Sequence, residues 1–277
     1  MNINMKKISY SLVALAMALG LASCDNIAEG DRLVYVAPVE VSKHVLIEDF
    51  TGQYCRNCPE ATEAIHQLQE TYGKTTVIAV GLYSGDFGKK ADGTLLPLTT
   101  VTGNYYYDYW KVEQQPCLNI DRKGLTSDNG ILNTRVTAAL KDTTTVTIIP
   151  SVLYNETTRQ AHIAGDVSSS EAVADARLQV WIVEDSIVSP QIMPTGKPNT
   201  KYVHNHVFRT TVTDRDGKAI SLDANKLVSE DFTAAIDDSW VAKNVSIVVF
   251  VFNGEGVKQT EIIPLLPTAT TPESEEE

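Results

Sequence analysis

Val45-Leu46-Ile47-Glu48-Asp49-Phe50-Thr51-Gly52-Gln53-Tyr54-Cys55-Arg56-Asn57-Cys58-Pro59 is the stretch on which the reading of this chain turns. The apolar, β-branched run at its start predicts a strand over residues 44–47. From Pro59 onward the apolar positions Ala61, Ala64, Ile65 and Leu68 recur at helical spacing, and Gly73 closes the segment. The two cysteines therefore fall between a strand and a helix. Cys55 is expected at the helix start, where free backbone N–H groups and the helix dipole stabilise a thiolate, and Arg56 adds a positive charge. Two residues between the sulfurs permit a disulfide or a dithiol with little backbone change, as thiol–disulfide exchange requires. In that scheme Cys55 is the exposed, attacking sulfur and Cys58 lies a turn deeper. Two structural readings compete with it. One is a static disulfide, which export alone can maintain. The other is a structural zinc site, for which no second cysteine pair exists.

Working outward, Val77 to Tyr83 is a continuous apolar run suited to a buried strand. A helix is expected over 105–110, a strand over 117–120, an Arg122-Lys123-Gly124 turn and a helix over 131–140. Strands alternating with helices across 41–145 predict an α/β layer structure. Beyond residue 143 the pattern changes: strands are expected over 146–153, 177–183, 203–213 and 245–252, with hairpin turns at Asp216-Gly217 and Asn253-Gly254. Only 223–227 and 231–235 hint at helix. This spacing predicts an all-β sandwich of immunoglobulin-like size over 146–266. A Thr-, Pro- and Glu-rich tail, 267–277, is expected to be disordered.

The N-terminus carries an address. Lys6 and Lys7 precede an apolar stretch, 12–21, too short to span a bilayer, and Leu21-Ala22-Ser23-Cys24 follows. That tetrapeptide resembles the bacterial lipobox. The resemblance implies a signal peptide over 1–23, lipid on Cys24 and an acidic tether over 24–40 containing Asp25, Glu29 and Asp31. An ordinary secretory signal with a chance cysteine is the alternative. The chain carries a net charge of −12. Without a basic stripe, that argues against nucleic acid or an anionic lipid surface as partner. Membrane attachment is expected through the lipid alone.

Asp49 lies six residues before Cys55, and Pro116 directly precedes the 117–120 strand. With these positions added, residues 45–55 and 115–124 resemble the thioredoxin superfamily, which implies a thioredoxin-like domain over 41–145. On that resemblance Cys55 is the nucleophile, Cys58 the resolving thiol and Asp49 a buried proton acceptor. Pro116 is then a cis-proline opposite the Cys55–Cys58 disulfide. Gln115 touches substrate through its backbone, and Tyr54 stands at the substrate side where tryptophan is usual. Arg56-Asn57 replaces the usual Gly-Pro, which leaves the direction of exchange open. Cys117 reads as a small buried hydrophobe, with a third redox sulfur as the alternative.

In the segment Tyr202 to Arg209, read as one strand, His204, His206 and Phe208 share a face. Two histidines so spaced can reach one metal. With no acidic or cysteine partner spaced as a ligand, hydrogen-bonded histidines at a domain interface are the preferred reading, and no metal is expected. His66 reads as helix surface. Taken together, the lipobox, the segment Asp49 to Pro59 and His204-Asn205-His206-Val207 resemble the outer membrane protein 28-related lipoproteins. That resemblance implies a thioredoxin-like domain joined to an immunoglobulin-like one. It also implies an outer-membrane position, on the periplasmic or the cell-surface face. No cofactor is implied, and the expected partners are exported or surface proteins. Function then divides between thiol–disulfide exchange and a binding or adhesion role in which the thioredoxin fold is a scaffold.

Overall fold

A two-residue strand β1 (Val41–Ser42) precedes β2 (Val45–Thr51), every residue of which is buried. Helix α1 (Cys58–Tyr72) returns the chain to β3 (Val77–Tyr83), also buried throughout and parallel to β2. Parallel neighbours need such a crossover, and strands covered on both faces read as unbroken apolar runs. Helix α2 (Val101–Tyr109) follows, then β4 (Cys117–Ile120) and β5 (Leu125–Thr126), helix α3 (Asn129–Ala139) and β6 (Thr143–Thr144). β4 runs antiparallel to the free side of β2, and β6 pairs with β1. Thr100 and Asp128 cap α2 and α3 by accepting backbone N–H groups of their first turns. This computed structural model describes residues 41–266, which belong to one compact unit. Cys24, the signal segment, the tether and the acidic tail lie outside the described residues.

The rest is β: β7 (Val146–Asn155), β8 (Gln160–Ser169), β9 (Arg177–Glu184), β10 (Ile187–Ile192) and β11 (Pro198–His204). Then come β12 (Val207–Thr211), β13 (Lys218–Ala219), β14 (Leu227–Ala235), β15 (Val245–Asn253) and β16 (Gly256–Pro264). Residues 231–235, expected as helix, are the second half of β14. Each residue from Leu227 to Ala235 is paired with β8, and burial alternates with period two. A nine-residue ladder outweighs a weak local preference for helix.

A free-standing sandwich over 146–266 would keep its sheets to itself. Instead β12 lies between β9 and β3, antiparallel to the first and parallel to the second. The order β16-β15-β9-β12-β3-β2-β4-β5 is thus continuous, with β13 also pairing to β9. At the junction the Gly81 N–H donates to the His206 carbonyl at 2.8 Å. The change of pattern near residue 145 is a change of connectivity across a shared sheet.

Three apolar layers hold this predominantly β, mixed α/β fold together. Val45, Ile47 and Val77 pack under Ile65 and Leu68 of α1 and Leu132 and Val136 of α3. Leu46, Phe50, Ile78 and Val80 join Trp181, Phe208 and Phe250, with Tyr106 of α2. Ile148, Ile163 and Val167 of the three-stranded sheet β14-β8-β7 pack on Val180, Ile182, Ile247 and Val249. Side chains of this size contribute about 1.5–3 kcal/mol each when fully buried.

Candidate functional site

The turn leaving β2 brings the chain into α1, and Cys55 and Cys58 are joined there by a disulfide with 5.4 Å between Cα atoms. The helix begins at Cys58, with Asn57 in the cap position, so Cys55 stands just ahead of the helix and does not open it. Pro59 occupies the first turn, where its missing N–H costs nothing.

Both cysteines are only 1% exposed. Cys55 is therefore not the open sulfur that its position before a helix suggests. The cover comes from the hairpin β10–β11, far along the chain. Gln191 Nε2 donates to the carbonyls of Cys55 (2.9 Å) and Gly52 (3.2 Å), and the Ile192 N–H donates to the Gln53 carbonyl at 2.8 Å. Gln53 Nε2 reciprocates by donating to Ser189 Oγ and the Pro190 carbonyl, both at 2.9 Å. Arg56 donates to the Pro194 carbonyl in the hairpin's turn at 3.0 Å. Nothing in local sequence announces this cover; Gln53, Ser189 and Gln191 are ordinary polar residues until the hairpin closes on the turn.

His204 ends β11 and locks the hairpin's other edge. Its Nδ1 lies 2.6 Å from Tyr83 Oη and its Nε2 lies 3.1 Å from the Ser189 carbonyl. A carbonyl only accepts, so Nε2 carries the proton and Nδ1 accepts from the tyrosine hydroxyl. The ring is neutral, in keeping with burial that lowers its pKa to about 4. His206 does not share its face. The chain turns at Asn205 and His206, the latter at φ 44°, so the expected single strand is two strands. His206 instead lines a small cavity with His66, Lys74 and Asp185, and burial lowers its pKa to about 4. Among the described residues no group of three or more His, Cys, Asp or Glu is placed to hold a metal.

Asp49 is the unusual group. It is 2% exposed, its Oδ1 is buried without a hydrogen-bond partner, and burial alone raises its pKa to about 7. It shares the β2 face of Val45 and Ile47, the face that α1 covers. Its charge helps raise the pKa values of Tyr83 and Cys117, in each case after burial itself. Cys117 is free and buried. The Gln115–Pro116 peptide immediately before it is cis. Gln115 Nε2 donates to the carbonyls of Thr51 at 2.7 Å and Ser84 at 3.1 Å, tying this turn to the ends of β2 and β3. Tyr54, 44% exposed, stands beside the cysteines, and Arg56 and Asn57 between them are exposed too.

Fold and site thus define a predominantly β, mixed α/β protein with a covered Cys-X-X-Cys disulfide at a helix start. The sequence pattern of the outer membrane protein Omp28 family matches residues 103–263, more than half of the chain, and the chain belongs to that family. Membership places it at the outer membrane. No curated protein matches it significantly. Among solved structures, HBP35 of Porphyromonas gingivalis is similar at 16% identity and TM-score 0.65, over 83% of this chain and 78% of that one. That likeness is one of fold. A domain of the outer membrane lipoprotein Omp28 from the same organism aligns over 46% of this chain and 92% of its own, at 20% identity and TM-score 0.35. Among the described residues, no helix is long and apolar enough to cross a membrane.

Proposed function

We propose that this outer-membrane protein is anchored by lipid on Cys24 and uses its Cys55–Cys58 pair for thiol–disulfide exchange on exported or surface proteins, the hairpin β10–β11 acting as a cover that must move. The observation that carries the reading is Asp49: a buried carboxyl whose Oδ1 has no hydrogen-bond partner, on the strand that leads into the cysteine turn. Such a group costs stability when ionised and does nothing for packing, whereas a thioredoxin-like site has a use for it.

The exchange balances as follows. A substrate thiolate attacks Cys55 Sγ, the Cys55–Cys58 bond breaks, and Cys58 leaves as a thiolate that takes up a proton. Asp49, with a pKa of about 7, is suited to supply that proton and to recover it in the reverse direction. A second substrate thiolate then attacks the substrate sulfur of the mixed disulfide and releases Cys55. The substrate dithiol is oxidised to a disulfide and the cysteine pair is reduced; run backwards, the sequence reduces a substrate disulfide. Tyr54 and the backbone of Gln115 would meet the substrate once the hairpin swings aside, and Pro116 holds Gln115 in place.

A second reading rests on the burial of both sulfurs. In it the disulfide is a permanent staple, the fold is a scaffold and the protein is a surface binder. Trapping separates the two. Cys58→Ser protein, acid-quenched from its native envelope, is expected to carry reductant-sensitive adducts through Cys55, while Cys55→Ser carries none. If neither variant traps a partner and the pair's reduction potential lies below about −300 mV, the range of structural disulfides, the binder reading replaces exchange.

A further inference from the structure

The face of the sheet to which Glu48 belongs carries a second cleft, of about 580 Å³, between α2, the β4–β5 turn, the start of β9, the loop 214–217 and the β15–β16 turn. That size suits a small ligand; typical pockets span about 300–1,000 Å³. Three arginines line it, Arg122, Arg177 and Arg215, in a protein whose net charge is −12. Arg122 is paired with Glu48. Among the described residues Arg177 and Arg215 make no ion pair.

Arg215 is nevertheless held in place. Its guanidinium stacks 4.1 Å from the centroid of Tyr105, and its carbonyl accepts a hydrogen bond from Tyr106 Oη at 2.8 Å. Tyr105 Oη donates to Asp216 Oδ1 at 2.5 Å, and Arg177 donates to the carbonyls of Asp216 and Gly217. The loop is thus pinned on both sides of an arginine that makes no ion pair among the described residues. The walls are aromatic: Tyr109 is 60% exposed, and Trp110 beside it has a buried indole N–H without a partner. Arg177 and Arg215 line the same cleft, and an anion that meets both guanidiniums gains charge-assisted hydrogen bonds from each. Asp216 at the same rim favours a singly charged group over a doubly charged phosphate ester.

We propose that this cleft binds a small ligand in which a carboxylate adjoins a flat, C–H-rich face, the chemistry of a uronic-acid sugar or of a free aromatic acid. The guanidinium of Arg215 takes the carboxylate, Arg177 adds charge, and Tyr109 and Trp110 receive the ring. The cysteine pair has no part in it, so the two proposals stand or fall separately.

Titration calorimetry on the mature chain tests it with three probes: trigalacturonate, its methyl ester and phenylacetate. Trigalacturonate is expected to bind at least tenfold more tightly than the ester. Arg215→Ala should weaken it tenfold or more, and Arg215→Lys should restore part of the loss. Binding of phenylacetate alone, with the same dependence on Arg215, supports the carboxylate chemistry and assigns the source to free aromatic acids. If neither acid binds, if ester and acid bind equally, or if a folded Arg215→Ala binds as wild type does, the proposal is overturned.

Discussion

Glu48 and Asp49 are neighbours on β2, both buried, and they point to opposite faces of the sheet. Glu48 meets Arg122, whose Nε and Nη2 both donate to Oε1 at 3.1 and 2.9 Å, and Arg122 lies in turn against Trp181, Phe250 and Phe252. Among the described residues Asp49 meets no cation. Both carboxyls have raised pKa values through burial, but only for Glu48 does an arginine pull in the other direction. A third buried acid, Asp121, repeats the paired pattern with Lys43 and also accepts the Leu46 N–H at 3.0 Å. The difference is instructive. An acid provided with a cation is part of the architecture, whereas one kept dry and unpaired destabilises the fold and needs a chemical reason to be there.

The largest effect should come from breaking the paired member. Arg122→Met leaves Glu48 buried without its cation, and a loss of about 3–5 kcal/mol in denaturant-measured stability is expected. A loss below about 1 kcal/mol would mean that the pair is not structural, and the contrast with Asp49 would collapse.

Removing the unpaired member should do the reverse, and only at the right pH. Asp49 is raised from 3.8 to about 7 in the folded protein. The folded state therefore holds a proton that the unfolded state has released, and stability contributed by this group falls as pH rises from about 4 to 7. At roughly 1.4 kcal/mol per pKa unit, Asp49→Asn should be more stable than wild type by up to about 4 kcal/mol at pH 8, converging with it below pH 4. In the reducing direction, where Cys58 must lose a proton to displace the substrate, the same variant should slow release of a mixed disulfide more than its formation. Parallel stability curves at all pH values would show that Asp49 is not the dry carboxyl described above.

The smallest effect concerns the cover. Gln191→Ala deletes the donor to the Cys55 and Gly52 carbonyls, at a cost of about 1–2 kcal/mol in holding the hairpin closed. Reduction of Cys55–Cys58 by a water-soluble phosphine should quicken by roughly tenfold, since about 1.4 kcal/mol is a factor of ten. An unchanged rate would mean that the hairpin does not control access.

Much of the site was legible from local order alone. The apolar runs of β2 and β3, the helical spacing after Cys58 and the two-residue gap between the cysteines are short-range features, and each depends on neighbours a few residues away. The paired histidines illustrate the limit. His204 and His206 share a face only if the strand runs straight, and the turn at Asn205 and His206, made where β12 inserts beside β3, separates them. Residues 231–235 show the same limit, because the partner that makes them a strand is β8.

What the sequence determined by itself was the chemistry available: two cysteines at exchange spacing, an acid ahead of them, a proline before β4, and a family whose members reside at the outer membrane. The tertiary structure decided how that chemistry is held. It buried Cys55 under β10–β11, gave Glu48 a cation and denied one to Asp49, and ran one sheet through both halves of the chain. The reason is physical. Burial, pairing and sheet order depend on contacts between distant residues, 74 positions apart for Glu48 and Arg122 and 136 for Cys55 and Gln191, and periodicity carries no information about which distant segment will provide them.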